Sequence, residues 1–162
     1  MFRSFIVVPL IFAASAFAQT AAQPNSSASC TLDDGSQIFV RYNKVSAKSE
    51  RPANGKPWAP GGAAMTLFTE KQLSLNGATI PVGAYTLFPI PGGKWTLVVN
   101  RNVAAGAPYD EKQDLARAPM EMTALTETVP ELDLALAHVG SKCGLRIYFG
   151  KIAAVAEFTE KP

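Results

Sequence analysis

Hydrophobic and polar residues alternate with a period of two along much of the chain. A period of two places successive side chains on opposite faces of a β-strand, so each such segment is predicted to be a strand with one buried face. No long amphipathic helical stretch interrupts the pattern, which predicts an all-β chain of about eight or nine short strands. The clearest alternating segments are residues 38–42, 85–88, 95–100, 132–137 and 145–149.

Turn-forming residues separate the predicted strands at regular spacing. Asparagine, aspartate, proline and glycine pairs are typical of the tight turns that close β-hairpins. Because a sandwich gives every apolar strand face a partner, we predict a single antiparallel β-sandwich over residues 29–162. The predicted hairpin turns are Asp34-Gly35, Asn76-Gly77, Pro91-Gly92-Gly93 and Gly150-Lys151.

Two segments lack the alternation and are predicted to be long loops. Residues 46–62 contain three prolines and three glycines, and residues 101–116 are polar, with a helical turn predicted at 110–115. Long ordered loops on a rigid scaffold are where binding sites are usually found. Plain surface connections are an equally good interpretation of both segments.

The N-terminus has the pattern of a secretory signal peptide. Arg3 precedes an apolar run at residues 5–14, and Ala-Phe-Ala at 16–18 matches a cleavage site. The run is too short for a good membrane span. We therefore predict a signal peptide at residues 1–18, a flexible leader at 19–28, and export to the periplasm or the extracellular medium.

The charge balance of the exported part is close to neutral. Removal of the signal segment, whose one charged residue is Arg3, leaves 14 basic and 13 acidic residues. Such a balance gives no electrostatic footprint for nucleic acid or for an anionic membrane surface. We expect no nucleic-acid partner and no transmembrane segment after cleavage.

Two cysteines, Cys30 and Cys143, remain after cleavage. An even number of cysteines in an exported chain usually forms disulfides. The Cys-x-x-Cys spacing of a redox pair is absent. A structural Cys30–Cys143 disulfide between the first strand and a late one is predicted, with two free buried thiols, or a metal or redox role, as the alternatives.

Residues 82–100 read VGAYTLFPIPGGKWTLVVN, with a Gly-Ala-Tyr strand entry, a Pro-Gly turn and a Trp-Thr strand that ends in Asn100. Residues 109–117 follow with YDEKQDLAR. Together they resemble the bacterial domain-of-unknown-function 2911 family, over roughly Cys30 to the C-terminus and most strongly over 73–117. The resemblance implies a β-sandwich and an exported protein, and it implies no activity.

One stretch departs from the family's pattern. Family members usually carry Trp-Arg-x-Gly-Ala followed by Asn or Glu. The comparable stretch here is residues 58–64, with Ala59 at the arginine position and without the polar residues. If those polar groups form the family's site, this chain has changed or lost it.

Aromatic and acidic side chains of the two predicted loops are the candidate site residues. Exposed aromatics can stack on a sugar ring or grip a partner, although Trp58 is equally suited to anchor its loop in the core. The acidic residues suit a calcium site or paired carboxylates for sugar chemistry. The sequence favours instead a capped helical turn in which Asp114 pairs with Lys112 or Arg117. The candidates are Trp58, Tyr109, Asp110 and Asp114.

The single histidine, His138, follows a run of leucines on one predicted strand face. Because no Gly-x-Ser-x-Gly elbow accompanies it, a structural role is expected rather than catalysis, and we expect no metal site or cofactor. The sequence favours a noncatalytic exported module of the bacterial envelope that binds a glycan, a protein or an envelope component. The alternatives are a hydrolase-like enzyme that uses Asp110 or Asp114, and a purely structural envelope protein.

Overall fold

Two antiparallel sheets build the domain in a computed structural model that describes residues 24–161. The six-stranded sheet has the order β1-β2-β3-β6-β7-β8, and the four-stranded sheet has the order β5-β4-β10-β9. The strands in chain order are β1 (Ser26–Thr31), β2 (Gln37–Tyr42), β3 (Met65–Thr69), β4 (Leu73–Leu75), β5 (Ala78–Ile80), β6 (Gly83–Ile90), β7 (Thr96–Asn100), β8 (Asp114–Pro119), β9 (Glu121–Val139) and β10 (Lys142–Glu160).

The predicted all-β antiparallel sandwich is confirmed. The described residues form ten strands rather than eight or nine, and two of them, β9 and β10, are long strands of 19 residues each. The core lies between the two sheets, where alternate side chains of both are buried. Its fully buried members include Ile38, Leu67, Leu97, Leu132, Leu145 and Phe158.

The first described residues lead directly into β1 of the six-stranded sheet. The predicted signal peptide, residues 1–18, and residues 19–23 of the predicted leader lie outside the described residues. β1 begins at Ser26, which pairs with Tyr42 of β2. Residues 26–28 of the predicted leader therefore belong to the first strand.

Three of the four predicted hairpin turns join consecutive strands. Asp34-Gly35 connects β1 to β2, Asn76-Gly77 connects β4 to β5, and Pro91-Gly92-Gly93 connects β6 to β7. Asn76 and Gly77 both have positive φ angles, 49° and 85°. That conformation matches the right-handed twist of the flanking strands, and it explains why the Asn-Gly pair signals a hairpin.

The predicted turn at Gly150-Lys151 is wrong. Both residues lie inside β10, and Gly150 pairs with Val129 of β9 between two register shifts. Gly150 has a φ angle of 61°, so this is a β-bulge that bends a continuous strand. A positive-φ glycine serves a bulge as well as a turn, which is why the sequence signal was misread.

The predicted disulfide between Cys30 and Cys143 is confirmed. Cys30 lies near the end of β1, and Cys143 lies near the start of β10, opposite His138. The bond joins the edge of the six-stranded sheet to the four-stranded sheet across 113 residues of sequence.

Candidate binding cleft

A cleft of about 370 Å³ lies on the outer face of the six-stranded sheet. One wall comes from residues 57–64 of the β2–β3 loop, and the other from residues 102–109 of the β7–β8 loop. These are the two long loops that the sequence predicted. The floor consists of outward-facing side chains of β3, β6 and β7, namely Thr66, Thr86, Phe88 and Asn100.

The lining of the cleft is uncharged. Alanine, glycine and proline dominate both walls, and no aspartate, glutamate, lysine, arginine or histidine of residues 24–161 lines the cleft. The polar residues of the lining are two threonines, two asparagines and Tyr109. A mainly apolar concavity with a few polar groups is the usual composition of a small-molecule site.

Trp58 anchors the first wall to the core. Its side chain is only 6% exposed and packs against Trp95 and Phe149, with ring centroids 6.0 and 4.8 Å away. Its backbone N–H donates to the Pro89 carbonyl at 2.8 Å. Its indole N–H donates to Glu50 Oε1 at 2.9 Å. Trp58 therefore holds the wall from behind and does not line the cleft.

Polar contacts complete the anchoring of the first wall. The carboxylate of Glu50, which accepts from the Trp58 indole, also accepts from the Gly61 backbone N–H at 3.2 Å. Buried Asn43 donates from Nδ2 to the Pro60 carbonyl at 3.3 Å. Gly61 has a φ angle of 64°, and a Cβ there would lie 3.3 Å from Val45. Glycine therefore allows the close approach of this wall to the segment that follows β2, at Asn43 and Val45.

Asn100 fixes both ends of the second wall. It is fully buried at the end of β7, and its Nδ2 donates to the Asp110 carbonyl and to Asp114 Oδ1, each at 2.8 Å. Its Oδ1 accepts from the Asn102 backbone N–H at 2.9 Å. A buried amide needs such partners to offset its desolvation. The side chain thus joins the exit from β7 to the entry into β8.

Asp114 accepts hydrogen bonds from three side chains. Besides Asn100 at Oδ1, its Oδ2 accepts from the Tyr109 hydroxyl at 2.7 Å and from Arg117 Nε at 2.8 Å. The Arg117 guanidinium also reaches Glu111 Oε1 at 2.9 Å. Its hydrogen bond to Asp114 raises the pKa of Arg117 above the usual value. The favoured sequence interpretation, an Asp114–Arg117 pair, matches this geometry.

Tyr109 connects the hydrogen-bond network around Asp114 to the cleft. Its ring packs edge-on against Phe88, with centroids 5.1 Å apart, and both rings line the cleft. Burial, followed by the hydrogen bond to Asp114, raises the pKa of Tyr109 to about 12. The phenol is therefore neutral at physiological pH and donates a hydrogen bond to the Asp114 carboxylate.

Asp110 caps a short helical turn beside the cleft. Its Oδ1 accepts from the Lys112 backbone N–H at 3.0 Å, and a 3-10 turn follows at Glu111–Gln113. This is the turn that the sequence predicted at 110–115. The Asp110 side chain belongs to a neighbouring depression lined also by Arg101. Its carboxylate does not line the main cleft.

The four predicted site residues therefore occupy four different kinds of position. Tyr109 lines the cleft, Asp114 lies behind Tyr109, and Asp110 caps the adjoining turn. Trp58 lies on the opposite side and faces the core. The structure brings Tyr109, Asp110 and Asp114 together at one end of the second wall. Trp58 is separate from them.

A family comparison covers most of the chain. The family described as "Protein of unknown function (DUF2911)" matches residues 23–157. The chain belongs to this family. No curated protein and no solved structure matches it.

The segments that resemble the DUF2911 family in sequence contribute Thr86, Phe88 and Asn100 to the floor of the cleft and Tyr109 to its second wall. Residues 82–100 build the β6–β7 hairpin of the floor, and residues 109–117 contain the Tyr109–Asp114–Arg117 network. The stretch that departs from the family's pattern, residues 58–64, lies in the opposite wall. Ala59 of that stretch lines the cleft.

Sequence analysis missed the floor of the cleft in this DUF2911 domain. The signal was present, because alternation along β6 places Thr86 and Phe88 opposite to the core residues Tyr85 and Leu87. The hairpin turn at 91–93 then pairs Thr86 with Asn100. The outward face of this hairpin, taken as one surface, therefore predicts three floor residues, namely Thr86, Phe88 and Asn100.

His138 lies away from the cleft, beside the disulfide. Its side chain is 17% exposed, with Nε2 3.4 Å from Glu160 Oε1 and Nδ1 3.8 Å from Asp33 Oδ1. Residues 24–161 contain no group of histidine, cysteine and carboxylate side chains that could hold a metal ion. Over the same residues, no helix has the length and apolar character needed to cross a membrane.

Proposed function

We propose that this protein is an exported, noncatalytic binding module of the bacterial envelope, and that the cleft between residues 57–64 and 102–109 is its ligand site. The cleft itself is the observation that carries the proposal. Its volume of about 370 Å³ falls within the range of about 300–1,000 Å³ that is usual for small-molecule sites. Trp58 and Asn100 anchor its two walls, so it is formed before a ligand arrives.

The character of the lining indicates what kind of chemical group would occupy the cleft, here called the body of the ligand. An uncharged surface of alanine, glycine, proline and two aromatic rings favours an apolar or sugar-like body over a charged one. A concavity of about 370 Å³ suits a small molecule or a single sugar unit of a glycan better than a protein surface. The hydroxyl of Thr66 on the floor and the amide of Asn102 on the second wall, both only half-buried, would orient it.

The state of the carboxylates supports binding rather than hydrolysis. A general base or nucleophile needs a free oxygen within reach of the substrate. Both Asp114 oxygens already accept hydrogen bonds, one from Asn100 and the other from Tyr109 and Arg117. Asp110 caps the following turn with Oδ1, and its side chain does not line the cleft. These groups position Tyr109 and stabilise the second wall.

The disulfide supports the exported location. Structural disulfides form and persist in oxidising compartments and are rare in the cytosol. Cys30 and Cys143 form a disulfide within the core, and residues 24–161 contain no free cysteine. Together with the predicted signal peptide at 1–18, it supports a periplasmic or extracellular protein.

Filling the cleft tests the proposal. Ala105 is an exposed wall residue of the cleft, and Ala53 is an exposed loop residue that does not line it. The mature protein would be screened by ligand-observed NMR against uncharged fragments and short glycans. We expect Ala105→Trp to weaken cleft binders by about tenfold or more, and Ala53→Trp to leave them unchanged.

Two results would contradict the proposal. In the first, Ala105→Trp leaves the affinity of every bound fragment unchanged. In the second, the protein turns over a chromogenic hydrolase substrate and Asp110→Asn or Asp114→Asn abolishes the turnover. The second result would establish the hydrolase-like alternative instead.

A further inference from the structure

An aromatic pair capped by an arginine lies on the same outer sheet face as the cleft. The rings of Phe39 on β2 and Phe68 on β3 stack with centroids 4.6 Å apart and an interplanar angle of 15°. The guanidinium carbon of Arg41 lies 5.6 Å from the Phe39 centroid and 5.3 Å from the Phe68 centroid. A cation at this distance from two ring faces is held by the cation–π interaction.

The sheet register places this arginine at the margin of the cleft. Arg41 pairs directly with Thr66 across β2 and β3, and Thr66 is part of the cleft floor. Side chains directly opposite on one face have Cβ atoms about 4.5–5.5 Å apart. Phe68 is the next residue of β3 on the same face as Thr66. The guanidinium is therefore within reach of a ligand that projects from the cleft.

The charge of Arg41 is available to such a ligand. Arg117, behind the opposite wall, is paired with Asp114 and Glu111, and Lys44 on the β2 side lies 3.8 Å from Asp133. Arg41 is exposed, and within residues 24–161 it makes neither an ion pair nor a hydrogen bond. The cation–π contacts with the two rings hold the guanidinium, and its N–H groups have no hydrogen-bond partner among the described residues.

We infer, on the basis of the proposed function, that the ligand of this cleft is a small organic monocarboxylate. Its uncharged body occupies the cleft, and its carboxylate pairs with the Arg41 guanidinium. A planar guanidinium with free edge donors matches a carboxylate in two parallel hydrogen bonds. Arg41 is the cation that the sheet register places beside the cleft floor, and its single positive charge balances one negative charge, so the geometry favours a monocarboxylate over a phosphate dianion.

Matched sets of ligands separate the carboxylate from the rest of the molecule. Each set contains one aliphatic, aromatic or sugar body as its carboxylate, its primary amide and its phosphate monoester. Their affinities for the mature protein would be measured by NMR titration and calorimetry at low ionic strength. We expect the carboxylate to bind about tenfold or more tightly than the amide, because a charged hydrogen-bonded pair contributes that much. Added salt reduces the difference.

Arginine variants assign the difference to one side chain. Arg41→Met retains the apolar stem of the side chain and should abolish the preference for carboxylate over amide. Arg146→Met, at an exposed arginine of β10 on the other sheet, should leave the preference intact. In ¹H–¹⁵N spectra, the Arg41 Nε–H signal should shift with the carboxylates and not with the amides.

The possible failures are distinguishable. Equal binding of acids and amides within the cleft, or a preference that survives Arg41→Met, overturns the carboxylate inference and leaves the proposed function standing. Tighter binding of the phosphate monoesters also overturns it. If none of the three forms binds in the cleft with any body, both the inference and the proposed function are overturned.

Discussion

At the scale of single residues, the phenol of Tyr109 links the cleft to the polar network behind it. One face of the ring contributes to the cleft beside Phe88, while the hydroxyl donates to Asp114 and accepts from Arg117. Hydrogen bonds to charged partners are stronger than those between neutral groups. The hydroxyl therefore fixes the position of a ring that forms part of the proposed ligand site.

Removal of that hydroxyl should destabilise the fold measurably. Tyr109→Phe retains the ring and deletes two hydrogen bonds to charged groups, so we expect the free energy of unfolding to fall by about 1–2 kcal/mol. Tyr148→Phe is the matched control, because the Tyr148 hydroxyl has no hydrogen-bond partner within residues 24–161. Urea denaturation of both variants checks the prediction, and equal losses in the two would contradict it.

The same phenol predicts a loss of stability at alkaline pH. An unfolded tyrosine has a pKa of about 10, and the pKa of Tyr109 in the fold is about 12. Between these values the unfolded state binds fewer protons than the native state, so stability falls as pH rises. The stability advantage of the wild type over Tyr109→Phe should be complete below about pH 10 and disappear by about pH 12. An advantage that grows over this range contradicts the assignment.

Trp58 shows what residue type alone cannot decide. The sequence placed it in a proline- and glycine-rich loop and left open whether the indole was exposed or buried. Long-range contacts determine its burial. The Trp58 backbone N–H donates to the Pro89 carbonyl, and the indole ring packs on Phe149, 91 positions later in the sequence. Local pattern could identify the loop and the aromatic residue, but it carried no information about which surface the loop would cover.

At the scale of elements, the bulge in β10 lets one long strand pair along the whole of β9. Gly150 pairs with Val129 while the register shifts on either side of it. An ideal Cβ at Gly150 would meet no heavy atom within 4 Å, so the glycine is required by its φ angle of 61° and not by space. The cost of replacing it is therefore a backbone cost.

A pair of glycine substitutions within β10 tests this. Gly150→Ala forces a side chain into the left-handed region and should lower the free energy of unfolding by about 1–2 kcal/mol. Gly144→Ala is the control, because Gly144 has no positive φ and its added Cβ would make an ordinary 3.8 Å contact with the Ala137 carbonyl. Thermal or urea denaturation measures both. A Gly150→Ala protein as stable as the Gly144→Ala protein would contradict the bulge.

Elements with a strong local signal were the predictable ones. The Asn76-Gly77 turn and the alternating strand at 38–42 were found because their chemistry is contained within a few residues. The first half of β9, from Glu121, was missed because most of its side chains are exposed and the apolar alternation is absent. That part is a strand because β10 pairs with it, which only the tertiary structure determines.

At the scale of the whole molecule, the Cys30–Cys143 disulfide ties the two sheets together. β1 has one strand neighbour in its own sheet, and the bond connects it to β10 of the other sheet. A closed loop of 113 residues restricts the unfolded chain strongly, which corresponds to about 4–5 kcal/mol in the chain-entropy account. The bond is thus expected to be a major contribution to the stability of the sandwich.

A double substitution measures that contribution. Cys30→Ala with Cys143→Ala should lower the free energy of unfolding by about 4–5 kcal/mol. Reduction of the wild-type protein in denaturant, followed by refolding in reductant, should give a similar loss. Two thiols that react with an alkylating agent without reductant, or a loss below about 1 kcal/mol, would contradict the structural role.

A protein-observed NMR titration tests most directly whether the cleft on the six-stranded sheet is the ligand site. ¹H–¹⁵N spectra of the mature protein would be recorded with increasing amounts of the tightest fragment from the screen. We predict that the largest shifts occur at the floor and second wall, with Thr86, Asn102 and Tyr109 among them. Shifts concentrated instead on the outer face of the four-stranded sheet, at residues such as Arg146 and Lys151, would contradict it.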